Sequence, residues 1–154
     1  MSRRKARWST VQPPLFKGAP KIVERERDVL GRLKQVLALR GVYHQRTNSG
    51  HIITRKGSHV ELCREGTPDL LTLYRGLLVW TETKAAGEKA RSEQEREHLA
   101  IRASGGLVVV AYDYEDVFAE YREIDQLLDR LARRFDLKGR PTALDLLKAI
   151  DAAT

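Results

Sequence analysis

The chain has 154 residues and a mass of 17.5 kDa, a size that fits one domain able to bury roughly two thirds of its unfolded surface. Hydrophobic residues make up 42% and charged residues 32%, which excludes disordered and membrane-embedded classes. Cys63 is the single cysteine, which excludes an internal disulfide and a cysteine-based zinc site. Without an apolar signal segment or a run approaching ~18 apolar residues, the sequence predicts an intracellular protein with no membrane span.

The net charge of +7 is concentrated near the start of the chain. Residues 1–21 carry +6 of it, contain no acid and include three prolines. They predict a flexible basic arm that contacts a polyanion such as nucleic acid; a solvated tail that aids solubility is the alternative. A second stretch, residues 29–60, is also free of acids, and it makes Arg46, Arg55 and Lys56 candidate nucleic-acid contacts.

The first helix is predicted over residues 22–39, because apolar residues recur there at helical spacing and Gly41 follows. On a helical wheel Glu26 lies on the apolar stripe, whereas Glu24 lies on the opposite side. A carboxylate on a buried stripe requires a partner or a cation. The alternative is an acid in a hydrated first turn, where it interacts favourably with the helix dipole.

The middle of the chain reads as strands. Two longer strands, Asp69–Tyr74 and Leu77–Lys84, are separated by Arg75 and Gly76, which indicates a hairpin. The shorter extended candidates that precede them are Val42–Gln45, Ile52–Thr54 and Val60–Leu62.

The next two elements are a helix and a strand. Ser92–Ser104 is predicted as a helix, with Ser92 and Glu95 in capping-box spacing. The continuous apolar run Leu107–Tyr112 is typical of a strand that is covered on both faces. The element order α-β-β-β-α-β predicts an α/β fold with a mixed sheet flanked by helices.

The end of the chain predicts two further helices. From Glu115 onward apolar residues form a heptad-like stripe, which packs either into the chain's own core or against a second subunit. A short last helix covers Ala143–Ala152, with Thr142 and Asp145 in capping-box register. The members of the stripe are Val117, Tyr121, Ile124, Leu128, Leu131 and Phe135.

The ends of the predicted hairpin carry charges. Glu82 and Lys84 project from the same face of their strand, and strand pairing brings Asp69 close to them. Two converging carboxylates favour a hard ion such as Mg²⁺ or Mn²⁺, and an adjacent lysine can position a water or neutralise charge on a phosphate. The alternative is that Asp69 caps a turn after Pro68 while Glu82 and Lys84 form an exposed ion pair worth under ~1 kcal/mol.

The runs "EGTPDLL", "VWTETK", "GEKARSEQ" and "ASGGLVVVAYDYEDV" closely resemble the VRR-NUC family of PD-(D/E)XK nucleases over about residues 24–120. This resemblance implies a restriction-endonuclease-like core over residues 22–122, between the basic arm and a C-terminal helical extension over residues 123–154. It also implies a metal-dependent nuclease that cuts branched DNA such as Holliday junctions as a homodimer. A non-catalytic DNA-binding module that keeps the fold is the alternative.

The resemblance also assigns roles to individual residues. Asp69 and Glu82 would bind Mg²⁺ or Mn²⁺ with the backbone carbonyl of Thr83, and Glu26 would complete the site. Lys84 resembles the lysine that handles the attacking water. The positions of the family's glutamine near the substrate and of its asparagine contact to the phosphate backbone correspond to Gln94 and Asn48.

The four histidines offer a competing interpretation as zinc ligands or as a catalytic base. Their spacings match no metal motif, so they are interpreted as surface or phosphate-facing side chains. They are His44, His51, His59 and His98.

Overall fold

The structure is a computed structural model, which describes residues 25–47 and 51–153. Among the described helices, none is long and apolar enough to cross a membrane. The elements in chain order are α1 (Glu26–Leu39), β1 (Tyr43–Arg46), β2 (His51–Ile53), β3 (His59–Glu61), β4 (Leu70–Tyr74), β5 (Leu77–Thr83), α2 (Ser92–Ala103), β6 (Leu107–Ala111), α3 (Tyr114–Arg134) and α4 (Ala143–Asp151).

Four strands form one mixed sheet in the order β1-β4-β5-β6. The β4 strand is antiparallel to both of its neighbours, β1 and β5, whereas β6 runs parallel to β5. The remaining strands, β2 and β3, pair with each other in a separate two-stranded sheet. The predicted α/β class and mixed sheet are confirmed; the restriction-endonuclease-like assignment remains a prediction.

The hairpin of β4 and β5 forms as the sequence predicts. Its two turn residues, Arg75 and Gly76, both have positive φ angles, of 48° and 84°. A two-residue turn with this backbone matches the right-handed twist of the flanking strands. It sets the register that pairs Leu70 with Thr81 at the far end of the hairpin.

The core lies on the face of the sheet that α1 and α3 cover. Leu33 and Leu37 of α1 are fully buried there, against Leu70 and Val79 of the sheet and Val117 of α3. The heptad-like stripe on α3 belongs to the same core, so the own-core interpretation is correct. The stripe is therefore not available as an interface for a second subunit.

Two local expectations are wrong. The β6 strand is half-buried over most of its length, and among the described strands it lies at the edge of the four-stranded sheet. The α2 helix is not capped by Ser92 and Glu95; its N-cap is Arg91, whose N–H donates to Gln94 Oε1 at 2.9 Å. At α4 the expected pair is present, since Thr142 Oγ1 donates to Asp145 Oδ2 at 2.7 Å.

The turn end of the hairpin is fixed to the C-terminal helices by Arg75, whose side chain is 6% exposed. Its guanidinium donates to the Pro141 carbonyl at 3.0 and 2.7 Å, to Asp125 at 3.0 Å and to Asp129 at 2.8 Å. The Arg75 carbonyl accepts the N–H of Ala143, the first residue of α4, at 2.8 Å. One residue thus connects the hairpin, α3 and the start of α4.

We expect Arg75→Ala to lower the free energy of unfolding by about 2–3 kcal/mol, because two carboxylates and a carbonyl lose their buried donor. Alanine keeps the β-carbon, so the strain of the positive φ angle is unchanged. Urea unfolding followed by circular dichroism measures the loss. Arg133→Ala, at an exposed arginine of α3, is the control and should change stability by less than about 0.5 kcal/mol. Equal effects of the two variants would contradict this role.

Candidate metal centre

Three carboxylates from three separate parts of the chain meet at the open end of the hairpin. Glu26 is the first residue of α1, Asp69 immediately precedes β4, and Glu82 lies near the end of β5. One oxygen from each lies within 4.8 Å of an oxygen of the other two. The predicted convergence of Asp69 and Glu82 is therefore confirmed, and Glu26 joins them.

Backbone register brings Asp69 to this position. Leu70 pairs with Thr81, so Asp69 lies one step beyond that pair, on the side of Glu82. Its Oδ2 accepts the Thr83 N–H at 2.9 Å and the Thr83 hydroxyl at 2.7 Å. The Asp69 carbonyl accepts the Thr47 N–H at 2.9 Å, which ties the segment to the end of β1. Asp69 thus bonds across the hairpin and does not cap a local turn.

Lys84 is buried among these acids. Its side chain is 5% exposed, and its Nζ lies 2.7 Å from Glu82 Oε1 and 3.9 Å from Glu26 Oε2. The interpretation of Glu82 and Lys84 as an exposed ion pair is therefore wrong. When all three carboxylates are ionised, the four side chains carry a net charge of −2, which a divalent cation would balance.

Glu82 is the acid whose ionisation is most strongly perturbed. Burial raises its pKa to about 7, and the nearby charges of Asp69 and Glu26 act in the same direction, whereas the hydrogen bond from Lys84 lowers it. A buried carboxylate beside two others is costly to ionise unless a cation is present. This electrostatic situation is typical of functional sites, although structural ion-pair networks produce it as well.

Glu26 faces the cluster but is only half-buried, with 42% of its side chain exposed. The helical wheel therefore gave its direction correctly and overstated its burial. Both interpretations of this residue hold in part, because it lies in the first turn of α1 and also contacts the acidic cluster.

Gln94 links the start of α2 to Glu82. Its Oε1 accepts the backbone N–H of Arg91, and its Nε2 donates to Glu82 Oε1. The amide is thus held at both ends, so the N-cap of α2 and the acidic cluster share one side chain. The structure places Gln94 against an acid of the cluster, and its proximity to a substrate stays a prediction.

A cavity of about 350 Å³ opens beside the cluster. Its lining includes the acids Glu26 and Asp69 and the neutral Thr83. Three basic side chains, Arg27, Lys34 and Arg46, line the remainder together with Leu30 and Gly31. Of the predicted nucleic-acid contacts, Arg46 therefore lies next to the acids.

The other predicted contacts lie elsewhere. Arg55 and Lys56 are exposed in the turn between β2 and β3, away from the residues that line the cavity. Asn48 lies outside the described residues. Thr83 borders the cavity, and its observed hydrogen bonds serve to orient Asp69.

The interpretation of the histidines as surface side chains is wrong for His98. This residue of α2 is 3% exposed, and its Nε2 lies 4.0 Å from Glu82 Oε2. Burial lowers the pKa of its imidazole, as do the positive charges of Arg102 and Lys84. The sequence signal was the four-residue spacing between Gln94 and His98, which places both side chains on one face of a helix.

The donor set fits a hard divalent cation. Clustered carboxylate oxygens with an open cavity beside them are the ligands that Mg²⁺ and Mn²⁺ prefer, whereas the described cluster has no thiolate. The candidate ligands are Glu26, Asp69 and Glu82. Among known proteins, no family model matches the chain and no curated protein is significantly similar to it.

A glycine contact sets the position of α2 against this centre. A β-carbon at Gly66 would lie 2.4 Å from the carbonyl oxygen of Glu93 and 2.9 Å from the Gln94 nitrogen, both backbone atoms. The φ angle of Gly66 is 86°. Glycine is therefore required here both for its backbone conformation and for the close approach of the first turn of α2.

We expect Gly66→Ala to lower the free energy of unfolding by at least about 2 kcal/mol, of which about 1–2 kcal/mol comes from the left-handed backbone, and to move Gln94 away from Glu82. Gly87→Ala is the matched control, since Gly87 also has a φ angle of 86° but no atom within 4 Å of a β-carbon. Urea unfolding of both variants separates the close contact from the backbone strain. Equal losses would show that the contact with α2 contributes nothing.

Proposed function

We propose that the protein is a divalent-metal-dependent nuclease of the VRR-NUC type that hydrolyses phosphodiester bonds in DNA. The observation that carries this proposal is the convergence of Glu26, Asp69 and Glu82 around the buried ammonium of Lys84. Three acids within 4.8 Å of one another beside an open cavity form an arrangement that suits a bound cation.

In this proposal Asp69, Glu82 and Glu26 hold Mg²⁺ or Mn²⁺, with the carbonyl of Thr83 as a further ligand. When bound, such a cation lowers the pKa of a coordinated water and neutralises charge that develops on the phosphate. The Lys84 ammonium orients the attacking water and stabilises the developing negative charge. Hydrogen bonds from the N–H and hydroxyl of Thr83 to Asp69, and from Gln94 to Glu82, hold the two acids in place.

The cavity beside the acids suits a phosphodiester. Arg27, Lys34 and Arg46 supply positive charge close to the carboxylates, so that a phosphate can approach a centre that would otherwise repel it. Contacts of this kind attract the phosphate backbone of DNA and do not distinguish one base from another.

We propose branched DNA, such as a four-way junction, as the substrate and a homodimer as the active form. One centre cuts one strand, and symmetric cleavage of a junction requires two centres related by a two-fold axis. The interface would have to use a surface other than the α3 stripe, because that stripe is buried in the core.

We expect Asp69→Asn and Lys84→Ala to reduce Mg²⁺-dependent cleavage at least 100-fold while changing DNA affinity by less than about threefold. A panel of labelled single strand, duplex, flap and four-way junction should be cut with Mg²⁺ or Mn²⁺, the junction or the flap best. Lys89→Ala, at an exposed lysine after β5, is the matched control and should keep full activity. Binding of DNA without cleavage by the wild type in either metal would favour the non-catalytic module.

We also expect cleavage at limiting Mg²⁺ to rise with pH through about 7. Below that value Glu82 is protonated and cannot act as a ligand, so the rate should fall up to tenfold per pH unit. Raising the Mg²⁺ concentration should shift this rise of the cleavage rate to lower pH, because the metal and the proton compete for the Glu82 carboxylate. Single-turnover rates measured at several Mg²⁺ concentrations test this, and a midpoint that is independent of metal would contradict it.

The same pKa shift predicts how metal-free protein responds to pH. Between the ordinary glutamate pKa of 4.5 and about 7, the folded state keeps a proton that the unfolded state releases. The free energy of unfolding should therefore fall as pH rises through this window and stop falling above it. Mg²⁺ should restore the lost stability at pH 8, which urea unfolding with and without the metal would reveal.

A further inference from the structure

The two oxygens of the Glu82 carboxylate have different surroundings. Oε1 accepts from both Lys84 and Gln94. Oε2 is buried and has no hydrogen-bond partner within the described part of the chain. Leaving a buried acceptor unpaired costs about 1–3 kcal/mol, so the second oxygen is an exception that requires an explanation.

The nearest candidate partner is unpaired as well. His98 Nε2 lies 4.0 Å from Glu82 Oε2, is buried, and makes no hydrogen bond among the described residues. A shift of about 1 Å would bring the two atoms to an ordinary hydrogen-bond distance. That single contact would satisfy both atoms, whereas neither has another partner in the surroundings that the structure describes.

The helix that carries His98 already holds the other oxygen. Gln94 and His98 are four residues apart on α2 and therefore lie on one face of the helix, one above the other. Each is directed at a different oxygen of the same carboxylate. The α2 helix thus presents two side chains to Glu82 in a two-pronged arrangement.

We propose that His98 is a positioning residue, which donates its Nε2 hydrogen to Glu82 Oε2 and, with Gln94, fixes the plane of the carboxylate toward the cation. This inference rests on the proposed function. The terminal torsion of a glutamate is broad, so a carboxylate held at one oxygen can still rotate. Outer partners of metal ligands typically contribute 10–100-fold to metal affinity or activity.

Variants at His98 separate hydrogen bonding from packing. His98→Gln keeps a donor of similar reach, whereas His98→Leu and His98→Met fill the space without one. Leu99→Ala, at a side chain of α2 that is 64% exposed, controls for general disturbance of the helix. Urea unfolding identifies the folded variants, and either of the two apolar variants is sufficient.

The first readout is the affinity of the DNA-free protein for Mn²⁺, measured from the free-ion signal in electron paramagnetic resonance. We expect the apolar variants to bind Mn²⁺ at least tenfold more weakly, and His98→Gln and Leu99→Ala to remain within about threefold of the wild type. Wild-type affinity in a folded apolar variant would overturn the inference and leave the proposed function intact. Equal weakening in His98→Gln and His98→Leu would also overturn it, because packing alone would then be responsible.

The second readout requires no variant. Long-range ¹H–¹⁵N spectra of ¹⁵N-histidine-labelled wild-type protein report which ring nitrogen carries the hydrogen. Protonation of His98 at Nε2 in the Mg²⁺-bound protein supports the proposal, whereas a neutral ring protonated at Nδ1 overturns it. A wild-type protein that binds neither Mn²⁺ nor Mg²⁺ would instead refute the proposed function.

Discussion

The organisation of this site depends on the burial of one carboxylate, that of Glu82, beside two others. Its side chain is 1% exposed, and such burial is tolerable only when opposite charge and donors surround it. Lys84 supplies the charge and Gln94 a donor, while Asp69 and Glu26 add to the repulsion. The ammonium of Lys84 lies between two of the acids, so the cluster is organised to hold positive charge. The proposed cation would take the place of the ammonium between the acids.

The hairpin of β4 and β5 connects this centre to the rest of the fold. At its closed end Arg75 is fixed to α3 and to the start of α4 by donors to two carboxylates and a carbonyl. At its open end the register places Asp69 beside Glu82. A site that must hold ligands within a few tenths of an ångström benefits from such a rigid support. Gly66 performs the equivalent role for α2, because it allows the first turn of that helix to approach closely.

Much of this arrangement could be predicted from local patterns. The two-residue turn and the strand periodicity predict that Asp69, Glu82 and Lys84 converge, because strand register and side-chain alternation are set by residues that are close in sequence. The helical period similarly predicts that Glu26 lies on the inward-facing side of the first helix. What could not be predicted depends on packing between distant elements. The burial of His98 is set by how α2 lies on the sheet, and its sequence neighbourhood is as polar as a surface helix.

The two wrong local expectations have the same origin. An apolar run such as β6 indicates burial, but not whether a further strand pairs with its outer edge. At the start of α2 two overlapping patterns, Ser92 with Glu95 and Arg91 with Gln94, differ by one residue. The second pattern is the one that forms, and its Gln94 also contacts Glu82. The capping pattern that forms is therefore the one whose glutamine also contacts the acidic cluster.

The most direct test of the central claim is a crystal structure of the protein with Mn²⁺, measured at a wavelength where manganese scatters anomalously. We predict an anomalous peak in coordination contact with the carboxylates of Asp69 and Glu82, with the Lys84 ammonium displaced from between the acids. Crystals that contain Mn²⁺ but show no peak there, with Lys84 still bonded to Glu82, would contradict the account.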